Sequence, residues 1–566
     1  MSTSADIQIN GTGQADQERI LRPRAIKPSN PAVLRAMSHE QLPLQPSNGG
    51  DNAQNPMLSG QTSGRSTPVP PDAPPSAQSI SSARKQLRAQ QRRRLFPSID
   101  YTSRVSHFDP NSDYRDFKGF YILFWIALTI MATTTMLRNI KDTGYPMRVK
   151  IWQLFTVKVW ELALADALMV LTTAVSLPLH KLFKSRTGQL LGLRWSRGGM
   201  AHIKANFDGV QSFLQTIWFT FWVSVPFIRE WTWTAQVFLT LHTFVLLMKM
   251  HSYAFYNGHL SETEKRLQAL DEPSTASKAP AYQYPSVGRT PTSEDRLKQA
   301  ADEKSELASL REDLAIELTS PLGSVTYPKN LTWGNYADYI FCPTLCYELE
   351  YPRTDKIRWS QLGYKIWAIF GVIFLLTITS EEFILPVLTE SAIRLESVTS
   401  FSETALILAE TISMLLFPFM VTFLLVFLVI FEYVLGAFAE LTCFADRHFY
   451  SDWWNSTDWL EFSREWNIPV HHFFRRHVYS ASRPHIGRKM ATLITFLISA
   501  IGHEIVLGCI TKKIRGYGFI AQMSQLPIVV LQRTKWVRGR HIFNNVCFWC
   551  SMILGPSMIC SLYVLI

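Results

Sequence analysis

Long apolar runs alternate with polar tracts along this chain, and the length of the runs sets the first expectation. Nine apolar stretches lie near 119–137, 157–179, 210–228, 232–253, 363–385, 407–434, 490–511, 515–531 and 542–566. Crossing a bilayer as a helix takes about 20 such residues. Residues 1–118 and 257–335 are instead rich in Pro, Ser, Gln and charge. The pattern predicts an all-α polytopic membrane protein of about nine transmembrane helices, with a disordered cytosolic head and a large polar loop. Residues 1–95 read as disordered, because a run such as Thr67-Pro-Val-Pro-Pro-Asp-Ala-Pro-Pro75 fits neither helix nor ordinary sheet. Residues 96–118 are a juxtamembrane segment, and 119–566 form the membrane domain, with the cytosolic loop 257–335 inside it. Residues 1–95 are expected to be dispensable for chemistry, and a chain starting near Asp109 to keep its turnover. In the loop, Leu307, Leu310, Leu314 and Leu318 put one apolar stripe on a soluble helix over 293–318. That stripe suits self-association and packing on the same chain equally. Glu161 and Asp166 interrupt the second run and are expected to face the bundle interior. Pro418 is expected to kink the sixth span.

Charge orients the bundle. The net charge is +11 and its densest cluster, Arg84 to Arg94, precedes the first span, where it suits topology and contact with anionic lipid rather than nucleic acid. The basic loops 180–204, 435–489 and 533–540 fall on the side of that cluster if there are nine spans, which places the N-terminus in the cytosol. Arg138, Lys141, Lys512 and Lys513 run against this rule. The first 20 residues lack an apolar core, so membrane entry is expected to use the first internal span. Cys547 and Cys550 form a C-x-x-C inside a span with no second pair and no His partner, so neither zinc nor redox chemistry is expected of them. Asn455-Ser-Thr is a glycosylation sequon on the side where it would not be used.

Candidate chemistry begins at His503. An ionisable group inside an apolar run costs roughly 3 kcal/mol or more, and imidazole is the side chain best suited to move a proton near neutral pH. His503-Glu504 is not a zinc-protease motif, because Leu507 stands where the second His would be. Ser499 shares a helix face with His503 and could orient the ring or a substrate hydroxyl, or bond its own backbone. Glu504 points away and is expected to pair with a lysine or arginine. The polar aromatic segment Phe449-Tyr-Ser-Asp-Trp-Trp-Asn-Ser-Thr457 precedes a basic stretch; it suits an interfacial aromatic belt or a substrate mouth. A base at membrane depth, an amide donor at Asn455 and a basic cytosolic face fit acyl transfer from a coenzyme A thioester to a membrane-dissolved hydroxyl. The base takes the hydroxyl proton, the amide meets the developing oxyanion, and the dry interior keeps water out. No residue cluster has metal-ligand spacing, and no tightly bound cofactor is expected beyond acyl-CoA as co-substrate.

Four segments carry a family resemblance: Phe449–Asn455 as F-Y-x-D-W-W-N, His503-Glu504 with its small-residue context, Pro343-Thr-Leu-Cys-Tyr-Glu-Leu-Glu-Tyr-Pro-Arg-Thr354, and Met250-His-Ser-Tyr-Ala-Phe-Tyr-Asn257. Together the chain resembles the sterol O-acyltransferases of the membrane-bound O-acyltransferase (MBOAT) family, in their fungal form. The resemblance implies an enzyme of the endoplasmic reticulum that esterifies a sterol, such as ergosterol, with a long-chain fatty acyl group from acyl-CoA. It also implies a homodimer or dimer of dimers. By motif position His503 would be the general base, Asn455 its partner at the thioester, Trp454 a chamber wall and Ser499 the neighbour one turn away. Tyr450, Arg464, Trp466, Asn467 and His471 would lie along the acyl-CoA entrance. Diacylglycerol O-acyltransferases carry nearly the same motifs and are the nearest alternative. A sterol-binding membrane protein without chemistry would need neither the intramembrane base nor a coenzyme A surface.

Overall fold

The computed structural model describes residues 99, 101–109, 112, 118–146, 158–184, 207–271, 310–321 and 323–565. Residues 1–95 and 293–309 of the expected loop helix lie outside the described residues. The chain divides into two units, and the larger, Ile99–Lys265 with Tyr327–Ile566, holds the membrane helices. In the smaller unit, residues 310–317 are helical, with Leu314 and Leu318 buried and Leu310 exposed. A bridge between Thr319 and Thr326 follows.

Among the described residues the secondary structure is helical, with isolated bridges and no strand. The helices are α1 Lys118–Thr143, α2 Val159–Thr173, α3 Ser176–Lys184, α4 Phe207–Ile228, α5 Trp233–Asp271, α6 Trp333–Phe341, α7 Trp359–Thr379 and α8 Leu385–Glu396. They continue as α9 Phe401–Phe427, α10 Leu435–Leu441, α11 Trp459–Glu465, α12 Ile468–Phe473, α13 Ser480–Thr511, α14 Tyr517–Gln532 and α15 His541–Leu565. Six helical rods are long and apolar enough to cross a membrane: Gly119–Thr143, Val159–Lys184, Trp359–Glu396, Phe401–Leu441, Ile468–Thr511 and His541–Leu565. The other three expected spans fall on α4, α5 and α14, which are helical but do not meet that criterion.

The surface of these rods is inverted relative to a water-soluble protein. Phe120, Ile126, Trp367, Phe370, Phe401 and Leu406 are largely exposed, whereas Thr173, Thr240, Thr243, Ser557 and Ser561 are fully buried. Large apolar residues facing outward and small hydroxyl residues between helices are the arrangement a bilayer favours.

Several rods are longer than the apolar runs that announce them. Helix α5 has 39 residues, about 58 Å at 1.5 Å per residue, roughly twice the hydrocarbon thickness. It continues past 257 because Glu262, Lys265 and Arg266 end the hydropathy but are good helix formers. The seventh span likewise begins near Ile468 rather than 490, interrupted at Gly487, whose φ of 77° suits glycine. Three π-helical segments, Ser380–Ile384, Leu428–Val434 and Phe474–Tyr479, join α7 to α8, α9 to α10 and α12 to α13. The sixth span runs α-helical through Pro418, and its change of register comes later, at the π segment Leu428–Val434.

The expected carboxylates find partners. Asp166 accepts from His242 Nδ1 at 2.6 Å, and Glu161 accepts from Arg229 at 3.0 Å and from the Trp231 indole at 3.2 Å. Around α7, α9 and α10 the ion pairs are deeper. Glu440, fully buried, accepts from both Arg358 and Arg447. Lys365 donates to Glu432 Oε1 at 3.1 Å and to its carbonyl at 3.0 Å. That lysine lies against Gly436, where a Cβ would stand 2.7 Å from its Nζ, so any larger residue would have to displace the lysine from Glu432.

The segment before α1 is part of this core. Arg104 clamps Asp446 through Nε (2.9 Å) and Nη2 (2.6 Å), and Thr102 N–H reaches the same carboxylate at 3.1 Å. Ile99 N–H donates to Glu348 at 3.0 Å, and Ser106 donates to Glu432. A start near Asp109 would therefore remove a strap that satisfies buried carboxylates, which argues for a boundary near 98 rather than at the expected start.

Candidate active site

One cavity of about 1890 Å³ runs through the membrane domain. Its wall comes from α4, α5, α7 to α9, the α12–α13 rod and α15, and is mostly apolar. His503 and Ser499 both line it.

The His503 ring is fixed by its own helix. Its Nδ1 lies 2.8 Å from the Ser499 carbonyl oxygen. A carbonyl only accepts, so Nδ1 carries the proton and Nε2 keeps its lone pair. Ser499 thus orients the ring through its backbone rather than its hydroxyl. The hydroxyl oxygen accepts from Gln522 Nε2 at 3.4 Å, and Gln525 Nε2 donates in turn to Gln522 Oε1 at 3.1 Å. In its neutral form the ring thus offers Nε2 as an acceptor at the wall of an apolar chamber, the arrangement a general base requires.

Glu504 does something the sequence pattern did not suggest. It is buried and pairs with no cation among the described residues. Its Oε1 accepts from Gly516 N–H (2.7 Å), Arg515 N–H (3.2 Å) and Tyr563 O–H (2.7 Å), and its Oε2 from Phe519 N–H (3.1 Å). Those amides are the otherwise unsatisfied donors at the start of α14, so Glu504 caps that helix from outside it. The expectation of a lysine or arginine partner is corrected accordingly: backbone donors satisfy the carboxylate because α14 begins beside it.

The aromatic motif builds a second wall. Asn455 ends the 3₁₀ turn Trp453–Asn455, is exposed, and its Nδ2 lies 3.5 Å from Asp452 Oδ2. Trp454 is buried, and its carbonyl accepts from Asn545 Nδ2 (3.0 Å) and Trp549 Nε1 (3.1 Å). Tyr450 is buried with its hydroxyl on Glu432 (3.0 Å). Trp466 stacks on Phe423 with centroids 4.7 Å apart. Asn467 caps α12, its Oδ1 accepting from Val470 N–H at 3.1 Å. Arg464 is exposed in the last turn of α11, and His471 is half-buried in α12. The structure thus joins Ser499 and His503 in the cavity. The other seven expected residues, including Asn455, stand outside its lining. Arg476, expected on the basic face, is buried against Glu348 at 2.9 Å and over the Tyr256 ring. Among the described residues no group of three or more His, Cys, Asp or Glu side chains is placed to hold a metal ion.

Two features near Asn455 and in the cavity were not legible beforehand. Burial raises the Glu465 carboxyl to about 7, with Asp452 adding to it and Arg464 opposing. His251 and His477 also line the cavity. Met250-His-Ser-Tyr drew attention as a segment, but nothing in it distinguishes His251 until α4 is placed beside it.

Residues 208–565 match the model of the MBOAT, membrane-bound O-acyltransferase family. The chain is 39% identical over 455 residues to "Probable sterol O-acyltransferase 2" of Schizosaccharomyces pombe, covering 80% of this chain and 87% of that protein. It is 32% identical over 506 residues to "Sterol O-acyltransferase 2" of Candida albicans, covering 83% and 79%. Similarity to "Diacylglycerol O-acyltransferase 1" of Dictyostelium discoideum is 33% over 264 residues, or 46% of this chain and 42% of that protein. The chain belongs to the membrane-bound O-acyltransferase family.

Proposed function

We propose that this acyltransferase moves a long-chain fatty acyl group from acyl-CoA to the 3-hydroxyl of a sterol, ergosterol or a close relative, yielding a steryl ester. The observation that carries the reading is the His503 tautomer in an apolar cavity, with Nδ1–H bonded to Ser499 and Nε2 left as a lone pair. The sterol oxygen attacks the thioester carbonyl while Nε2 takes its proton. The tetrahedral intermediate collapses with loss of the coenzyme A thiolate, which recovers that proton from the imidazolium. Asn455 is the group assigned to position the thioester or meet its oxyanion, supported by its place in the F-Y-x-D-W-W-N motif. Trp454 is assigned to the chamber, and Tyr450, Arg464, Trp466, Asn467 and His471 to the approach of acyl-CoA. The cavity, about 1890 Å³, exceeds the roughly 300–1,000 Å³ of an ordinary ligand site, as a long acyl chain and a sterol held together require.

Sterol is preferred over diacylglycerol as acceptor because the sterol O-acyltransferases align over about four-fifths of the chain, against 46% for the diacylglycerol enzyme. The setting proposed is the endoplasmic-reticulum membrane, with a cytosolic N-terminus and a homodimer or dimer of dimers. Membranes expressing the chain, given labelled oleoyl-CoA with ergosterol, cholesterol or diacylglycerol, should accumulate labelled steryl ester. Labelled triacylglycerol alone, or no ester, would overturn the reading.

A further inference from the structure

A second imidazole faces the same cavity. His251 on α5 has its Nδ1 3.1 Å from Gln215 Oε1 on α4. A carboxamide oxygen only accepts, so the proton stays on Nδ1 and Nε2 keeps its lone pair. The ring is clamped, stacked on Phe255 with centroids 4.1 Å apart and set edge-on to His477 at 5.2 Å. Among the described residues Nε2 has no hydrogen-bond partner, and both His251 and Gln215 line the cavity. An acceptor inside an apolar chamber calls for a donor on whatever fills that chamber.

Position narrows the donor. Phe244 packs against Gly502, the neighbour of His503: a Cβ built on Gly502 would stand 3.8 Å from its ring. His251 follows Phe244 by seven residues on the same helix, roughly 10 Å along the axis and toward the polar-loop end. On the acyl-CoA reading, on which this inference rests, the thioester is at His503 and the pantetheine arm leaves toward that end. By standard bond lengths the second amide nitrogen of the arm lies roughly 9 Å from the thioester sulfur. The sterol offers one hydroxyl, already engaged by His503, and of the donors on the arm, two amide N–H groups and a hydroxyl, the second amide lies nearest the required distance. We propose that His251, its tautomer fixed by Gln215, accepts the second pantetheine amide N–H of acyl-CoA and so sets the register of the thioester against His503. His251 is a substrate-positioning residue in this scheme and takes no proton from the reaction.

The test uses the full-length protein with oleoyl-CoA and an analogue in which an ester oxygen replaces that amide N–H. Wild type should show a KM about tenfold higher for the analogue, the scale of one lost hydrogen bond in a dry site. His251→Ala should raise the KM for oleoyl-CoA about tenfold, show no further penalty with the analogue, and leave the sterol KM within about twofold. His251→Gln, which restores an acceptor oxygen, should recover most of the loss. Two penalties that multiply, or a sterol KM that rises as much as the donor KM, would overturn the proposal. Should His251→Ala fail to fold, the wild-type comparison decides alone: equal KM values for the two donors sink it. Wild-type protein that moves no oleate from oleoyl-CoA to sterol would instead remove the acyl-CoA reading, and this inference with it.

Discussion

His503 has two ring nitrogens in different settings, and its own helix holds one of them. The Nδ1–H is committed to the Ser499 carbonyl at 2.8 Å. Removing the ring should cost the general-base contribution, roughly 100-fold or more in turnover. His503→Ala should therefore be nearly inactive while its melting temperature and assembly stay close to wild type, since the side chain faces the cavity and is exposed within it. Turnover within tenfold of wild type in purified His503→Ala would take the base role away. Glu465, beside the aromatic motif, should respond to pH instead. Its folded carboxyl is raised to about 7, chiefly by burial and next by Asp452, whereas an unfolded Glu titrates near 4.3. Between those values the folded state holds a proton that the unfolded state has released, so the Glu465 contribution falls as pH rises from about 4.3 to about 7 and is level above. Glu465→Gln should stay neutral throughout. The difference in melting temperature, variant minus wild type, should grow across that window and then flatten. A difference that does not change with pH would show that the carboxyl is solvated.

At the scale of elements, the ion pairs that pin α7, α9 and α10 carry more than the surface ones. Glu440 is fully buried between Arg358 and Arg447, and Arg447 is itself buried. Glu440→Gln removes the counter-charge of buried Arg447 and leaves Arg358 with Asp109 at 3.9 Å, which should cost about 3–5 kcal/mol. Arg394→Gln, breaking an exposed pair with Glu410, should leave the melting temperature close to wild type. Thermal unfolding of the two variants in one detergent checks the ranking; equal losses would mean that the buried cluster is hydrated. The contrast also marks what a sequence discloses. The spans and His503 were readable because hydropathy is local and an imidazole in an apolar run is rare. The lengths of the rods were not, because Glu262, Lys265 and Arg266 end an apolar run without ending a helix. The π segments depend on backbone register, which residue types barely encode. Glu504 was misread for a related reason: three of its four donors are backbone amides 11 to 15 positions further on, without any side-chain signature, and the fourth is the distant Tyr563 hydroxyl. His251 gains meaning only from Gln215, which lies 36 positions earlier and on another helix.

At the scale of the whole molecule, the question is where the functional protein begins. Composition puts the boundary at the first apolar run, because Ile99 to Asp109 is polar and short. The structure puts it earlier. Asp446, Glu348 and Glu432 are buried, and each takes a hydrogen bond from this strap. The strap also reaches the aromatic motif, with Ser106 Oγ 2.9 Å from the Tyr450 hydroxyl and the His107 ring stacked on Tyr450 at 5.7 Å. Removing it strips donors from the carboxylates packed beneath it, at about 1–3 kcal/mol for each group left unsatisfied, and frees the loop that holds Asn455. A chain starting at Ile99 should keep wild-type turnover per folded molecule. A chain starting at Asp113 should melt well below it and lose most of its activity. The two deletions differ by only 14 residues, so loss of bulk does not account for the contrast. Equal melting temperatures and equal turnover in the two would show that the strap is an attachment to the membrane domain and that the active site is complete without it.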